Sequence, residues 1–234
     1  MDIYKDIETR TNGEIYIGVV GPVRTGKSTF IKRFMELMVL PAIADENSRK
    51  RAMDELPQSA AGKTVMTTEP KFIPKEAVEV LFEDGVRFQC RLIDCVGYMV
   101  QGAEGHEEDG KERLVKTPWF DYDIPFTKAA EIGTKKVIYD HSTVGIVVTC
   151  DDTVSELGRT SYIQPEMQTI QELKSIGKPF VVLLNSRRPA SPETIELAEK
   201  MEAEYGVSVL PVNCDQLRKT DVVHIFEALL LDFP

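Results

Sequence analysis

The octapeptide GPVRTGKS, residues 21–28, constrains this chain more than any other stretch because of what flanks it. An apolar, β-branched run (EIYIGVV, 14–20) leads into it and an amphipathic run (STFIKRFMELM, 28–38) leads out. The spacing is that of a Gly-x-x-x-x-Gly-Lys-Ser phosphate loop joining a strand to a helix. In such a loop backbone N–H groups wrap phosphate oxygens, and the helix N-terminus adds a favourable partial charge. Lys27 is then placed to meet the β and γ oxygens, and the Ser28 hydroxyl to bind magnesium. Gly21 and Gly26 permit a turn and a close approach that a side chain would obstruct. Val23, Arg24, Thr25 and Thr29 complete the expected nucleotide-binding positions.

The alternation continues along the chain. RFQCRLID (87–94), VGIVVTC (144–150), PFVVLLN (179–185) and VSVLPV (207–212) read as strands. PEMQTIQELKSIG (165–177), PETIELAEKMEAEYG (192–206) and TDVVHIFEALLL (220–231) read as helices. Apolar strands separated by helices predict an α/β fold, a mostly parallel sheet flanked by helices on both faces. We expect one domain over 1–234. Two segments break the rhythm, 41–68 and 95–126, and connections that long inside a compact domain are usually functional.

Composition excludes several classes. A net charge of −10 argues against a surface that holds nucleic acid by its overall field. The apolar runs are too short for membrane insertion, and the opening MDIYKDIETRTNG shows no leader pattern. Cys90, Cys95, Cys150 and Cys214 lack zinc-site spacing and are expected as free thiols in a reducing cytoplasm.

A magnesium-triphosphate site needs a second carboxylate at the end of a neighbouring strand, and RLIDCVG supplies Asp94. Asp94 to Gly97 forms Asp-x-x-Gly, whose glycine N–H can sense a γ-phosphate. Between the two motifs lies GKTVMTTEPKF (62–72), in which Thr67 and Thr68 are candidate switch threonines. Thr68 is favoured as the direct contact. Lys27, Thr67, Thr68, Asp94 and Arg24 are thus the expected catalytic set, with Ser28, Thr68 and Asp94 at the metal.

This motif order, ending in LLNSRRP, resembles the translation-factor-related class of P-loop GTPases. The resemblance implies a P-loop NTPase with GTPase-like topology, in which 41–68 and 95–126 are the two switch regions. That class places Asn-Lys-x-Asp after this strand, and the aspartate accepts hydrogen bonds from the guanine edge. Here the four positions are Asn185, Ser186, Arg187 and Arg188, so the acceptor has become a cation. Unpaired buried donors cost about 1 to 3 kcal/mol each, so guanine selectivity is expected to be lost and ATP to be the nucleotide. Asn185, Arg187 and Arg188 remain the expected residues near the base, with the two arginines either stacking there or facing water, a choice the sequence does not make.

More specifically, YIGVVGPVRTGKSTFIKRFMELMVLP, DELPQSAAGKTVMTTEPKF, DCVGY, TPWF, IPFTKAAEIGTKKVI and HSTVGIVVTCD are similar to the N-terminal nucleotide-binding domain of the stage IV sporulation protein A family. That resemblance implies a morphogenetic ATP hydrolase that self-associates into a polymer around the forespore, in the mother-cell cytoplasm, as the basement layer of the spore coat. Contacts with other coat and forespore-surface proteins would run through middle and C-terminal family domains beyond this chain. It also assigns the loop lysine to Lys27, the magnesium-site aspartate to Asp94 and the sensor threonines to Thr67 and Thr68.

Some positions depart from the wider class. Tyr98 stands where small GTPases carry a water-orienting glutamine, which keeps open a binding module with negligible turnover beside the GTPase alternative. Arg24 stands where potassium-dependent relatives carry asparagine. A guanidinium there supplies charge to the phosphates, or else faces solvent or a surface carboxylate. GHEEDGKER (105–113) reads as a solvated acidic loop with His106 exposed, and Trp119 as a core plug or a docking patch.

Overall fold

The computed structural model describes residues 13–57, 68–81, 87–103, 105–108 and 110–231. Its centre is a six-stranded sheet of β1 (Glu14–Val20), β2 (Lys71–Leu81), β3 (Arg87–Asp94), β8 (Val144–Cys150), β9 (Phe180–Asn185) and β10 (Val209–Val212), ordered β10-β9-β8-β1-β3-β2. All neighbours are parallel except β2, which closes one edge antiparallel to β3. Two antiparallel hairpins stand apart, β4 (Glu107–Glu108) with β5 (Lys111–Glu112), and β6 (Leu114–Thr117) with β7 (Phe120–Pro125).

Strands β8 and β9 are almost wholly apolar because both of their faces are covered. Every residue of β8 and β9 is buried. Alternate side chains separate cleanly. Ile15, Ile17, Val19, Ile146, Val148, Val181 and Leu183 face one core, packed with α1 (Lys27–Phe34) and α6 (Lys219–Leu231). The rings of Phe30, Phe34 and Phe226 meet there at 6.0 and 6.1 Å. Val20, Ile93, Val147, Val182 and Leu184 face the other core, against α4 (Thr160–Ser175) and α5 (Pro192–Tyr205), with Val137 and Ile138 just past α3 (Phe126–Lys136).

The two segments that interrupt the sequence rhythm hold more structure than their composition indicates. The first contains α2 (Glu46–Asp54), started by Asp45, whose carboxylate accepts the Ser48 N–H at 2.7 Å. The acidic tract of the second is the β4–β5 hairpin, which pairs Glu108 with Lys111 and stays exposed at the strands. His106 is partly exposed beside Glu107. Helix α4 begins at Thr160 rather than at Pro165, which lies within it. All four cysteines are buried and unpaired, and burial pushes the Cys95 thiol up to about 11 and those of Cys90 and Cys150 to about 12. Among the described residues no helix is long and apolar enough to cross a membrane.

One buried polar knot ties the second core together. Glu166, wholly buried on α4, accepts from the Thr149 hydroxyl, from Arg159 Nη2 at 2.7 Å and from the Tyr205 hydroxyl at 2.6 Å. Removing one partner of such a pair leaves an uncompensated charge. Glu166→Ala is therefore expected to destabilise the fold by about 3 to 5 kcal/mol, read from urea unfolding.

Candidate functional site

The site lies at the carboxyl ends of the parallel strands, where ligands of open α/β sheets bind. Parallel pairing of β1 with β3 aligns Val19 with Asp94, so the end of β3 stands beside the start of the 21–28 loop. Gly26, at φ 102°, turns the chain into α1, and Lys27 is the first helical residue. A Cβ on Gly26 would meet Asn185 Nδ2 at 2.3 Å, so glycine is needed there for space as well as for backbone angle.

Lys27 is buried, with 5% exposure. Its Nζ donates to the carbonyls of Pro22 at 2.5 Å and Gly21 at 3.4 Å. Burial lowers its pKa, and Asp94 is among the charges that oppose the shift. The Ser28 hydroxyl donates to Asp94 Oδ2 at 3.2 Å. Asp94 Oδ1 is buried with no hydrogen-bond partner among the described residues. Burial pushes the Asp94 carboxyl up, against the pull of Lys27 and the Ser28 hydroxyl.

Gly97 closes the far side. A Cβ there would lie 2.1 Å from the Gly21 carbonyl oxygen and 2.7 Å from Lys27 Nζ, and its φ of 94° is left-handed. The next residue is bridged to the loop in both directions. Tyr98 N–H donates to Gly21 O at 3.3 Å, and Val23 N–H donates to Tyr98 O at 2.9 Å.

Lys27, Ser28, Asp94, Gly21 and Gly97 thus converge. Other expected residues sit differently. Val23 is buried and its N–H is spent on Tyr98, so in this conformation it is not directed at a phosphate. Thr25 is buried, with its hydroxyl on Pro22 O at 3.0 Å, and Thr29 lies in the first turn of α1. Arg24 is exposed at the loop tip, with a left-handed φ of 61° that is unusual for a residue bearing Cβ. Thr68 is buried, and its carbonyl would be 2.3 Å from a Cβ on Gly133 of α3. Thr67 lies outside the described residues.

Asn185 braces the loops. Its Nδ2 donates to Thr25 O at 2.9 Å and its Oδ1 accepts from Cys214 N–H at 3.0 Å. Both ends of the amide are committed to backbone. Arg187 and Arg188 are exposed. Arg188 lines a cavity of about 210 Å³ with Asp151, Asp152, Thr153, Glu193 and Thr194. Trp119 is half-buried, its ring 3.5 Å from where a Gly133 Cβ would stand and 5.7 Å from Lys136 Nζ. Glu172, which accepts the Tyr98 hydroxyl, was not among the expected residues, since nothing distinguishes it in sequence from the other polar residues of α4.

A family model described as "Stage IV sporulation protein A, ATPase domain" matches residues 1–234. Stage IV sporulation protein A of Bacillus subtilis is 53% identical over 234 residues, which is 100% of this chain and 48% of that protein. The Clostridioides difficile protein of the same name is 55% identical over 233 residues, with the same coverage. The chain therefore spans about half the length of these relatives. Crystal structures of two SsGBP mutation variants superpose with TM-scores of 0.50 at 15% and 16% identity, covering 96% and 97% of this chain and 57% and 59% of theirs. At that identity the likeness is one of fold.

The Asn185 brace has a measurable consequence. Asn185→Ala leaves the Thr25 carbonyl and the Cys214 N–H buried without their partner. It is expected to cost about 1 to 3 kcal/mol in urea unfolding and to weaken nucleotide binding, because the phosphate loop loses its support from β9.

Proposed function

We propose, from the premise that the chain belongs to the stage IV sporulation protein A ATPase-domain family, that it is a magnesium-dependent ATP hydrolase. Its hydrolysis would drive self-association into the basement layer of the spore coat, at the forespore surface on the mother-cell side. Within the longer family protein it would be the single nucleotide-binding domain, and contacts with other coat proteins would belong to the remaining domains.

One observation carries this reading: the buried Asp94 Oδ1, without a partner among the described residues, next to the Ser28 hydroxyl and the Lys27 ammonium. Hard oxygen donors of this kind suit magnesium, which usually takes one or two carboxylates together with substrate phosphates. No group of three or more His, Cys, Asp or Glu exists among the described residues to hold an ion alone, and a magnesium-phosphate site does not need one. Magnesium, when bound, draws charge from the β and γ oxygens.

The chain's own residues would do the rest. Lys27 would exchange its hold on the Pro22 and Gly21 carbonyls for phosphate oxygens. Gly97, at the mouth of the loop, would present its N–H to the γ-phosphate, while Thr67 or Thr68 would contact it from the first switch. The Tyr98 hydroxyl donates to Glu172 on α4, so it would not be free to orient water as a glutamine amide does. This favours slow turnover and is the observation behind the second reading, a nucleotide-binding module that hardly hydrolyses.

Phosphate release from ATP and from GTP, beside Lys27→Ala, separates these readings. Lys27→Ala is expected to abolish nucleotide binding. Asp94→Ala, and Thr67→Ala combined with Thr68→Ala, are expected to abolish hydrolysis with smaller effects on binding, since switch contacts tighten only on the activated γ-phosphate. Wild-type release no faster than Lys27→Ala with either nucleotide would leave the module reading.

Arg24 extends the test. Its place at the loop tip suits a built-in cation, so turnover is expected to be indifferent to sodium or potassium. Arg24→Asn is expected to lower it on the order of 10³-fold if the guanidinium does the whole work of an arginine finger, with partial rescue by potassium. Arg24→Lys should recover only part, since charge returns without the planar fork.

A further inference from the structure

Tyr98 is fixed at both ends. Its backbone is bridged to the phosphate loop through Gly21 O and Val23 N–H, and its ring is buried at 4% exposure among Val20, Ile93, Cys95, Val137 and Ile170. Its hydroxyl donates to Glu172 Oε2 on α4. Glu172 is itself held: Gln168 Nε2 donates to its Oε1 at 3.4 Å, and Lys135 Nζ of α3 lies 3.9 Å from the same oxygen. Lys135 in turn pairs with Glu131 of the same helix at 2.7 Å.

The same α3 also seats the first switch. Gly133, two residues from Glu131 and from Lys135, admits the Thr68 carbonyl so closely that any Cβ would collide with it. The chain that carries Gly97 is thus tied to α4 through Glu172, the chain that carries Thr68 sits against α3, and Lys135 of α3 stands beside Glu172 between the two. Gly97 adjoins Tyr98 and lies over Lys27 Nζ, with no room for a side chain.

We propose that Tyr98 and Glu172 are positioning residues that clamp Gly97 over the Lys27 ammonium, and that Lys135 links this clamp to the helix that seats Thr68. The inference rests on the nucleotide-binding reading of the site and adds to it the means by which a triphosphate is told from a diphosphate. In this chain the residue after Asp-x-x-Gly does not handle water. It replaces a mobile switch start with a strut, anchored on one side in the core and on the other in the phosphate loop. A carboxylate acceptor makes the strut stronger than a neutral partner would, because charge-assisted hydrogen bonds are shorter and stronger.

The test uses the 234-residue chain, with phosphate release from ATP, and binding of ADP and of a non-hydrolysable ATP analogue. Tyr98→Phe keeps the buried ring and removes only the hydroxyl. It is expected to lower turnover about 10- to 100-fold, as for a reacting group displaced by a fraction of an ångström to an ångström. Preference for the triphosphate analogue over ADP should fall in parallel, with ADP affinity held within about twofold, because the interaction lost is specific to the γ-phosphate. Glu172→Ala should reproduce the effect and Glu172→Gln, which keeps an acceptor, should recover most of it. The double variant Tyr98→Phe with Glu172→Ala should be no worse than either single change.

Wild-type turnover and preference in Tyr98→Phe would overturn the proposal. Equal loss of ADP and analogue affinity, or additive effects in the double variant, would do so as well. If the wild type releases no phosphate beyond Lys27→Ala, the hydrolase reading falls while the binding preference still decides the role of Tyr98. A wild type that does not prefer triphosphate would overturn the clamp itself.

Discussion

The buried ammonium of Lys27 sets the terms for everything around it. Taking such a charge out of water costs several kcal/mol even after relaxation, so the fold must bring acceptors to it. It does so with two backbone carbonyls, at Pro22 and Gly21, and with the nearby carboxylate of Asp94. Those carbonyls can converge only because the loop turns through left-handed angles at Gly21 and Gly26. Asp94 arrives because parallel pairing aligns the last residues of β1 and β3. Asp94 bears a cost of its own, since burial disfavours its charged form and one oxygen lacks a partner among the described residues. Each buried charge is made tolerable by the other and by the groups a phosphate or a cation would replace.

Much of this was legible in sequence because it depends on local spacing. The 21–28 loop, the strand-end aspartate and the following glycine each carry their geometry in a few consecutive residues. The parallel sheet was legible for the same reason, since fully buried strands such as VGIVVTC and FVVLLN have no polar face to disguise them. What escaped depends on contacts across the chain. The seat of Thr68 on Gly133 joins residues far apart in sequence, and Glu172 is singled out only by the Tyr98 hydroxyl that reaches it. Residues 105–113 read as a loop because the β4–β5 hairpin is short and exposed at its strands. Charged residues at Glu107, Glu108, Lys111 and Glu112 give no apolar alternation to detect.

The conformation of Arg24 follows from the same economy of space. The loop must reverse direction over Lys27, and the turn falls on a residue with Cβ at φ 61°. Left-handed backbone costs roughly 1 to 2 kcal/mol for such a residue. A glycine would adopt it at no steric cost, so the arginine is held in a strained position at the one point of the loop that projects outward. Strain of this kind is found where the surrounding structure over-determines the backbone, as it does here through the bridges of the flanking Val23 and Gly21 to Tyr98.

The loop after β9 separates a side chain that braces the structure from two that do not. Asn185 is retained in a position where it holds Thr25 of the phosphate loop and Cys214 after β10, work that is independent of any base. Arg187 and Arg188 instead shape the turn with their backbones. Arg187 N–H donates to the Thr153 hydroxyl at 2.8 Å, Arg188 N–H to the Ser186 hydroxyl at 2.9 Å, and Arg188 O accepts from Ser191 N–H at 2.9 Å. Because these bonds need only the main chain, the turn does not depend on the side chain at 188. The asparagine side chain, by contrast, is required, since its replacement would orphan two buried backbone groups.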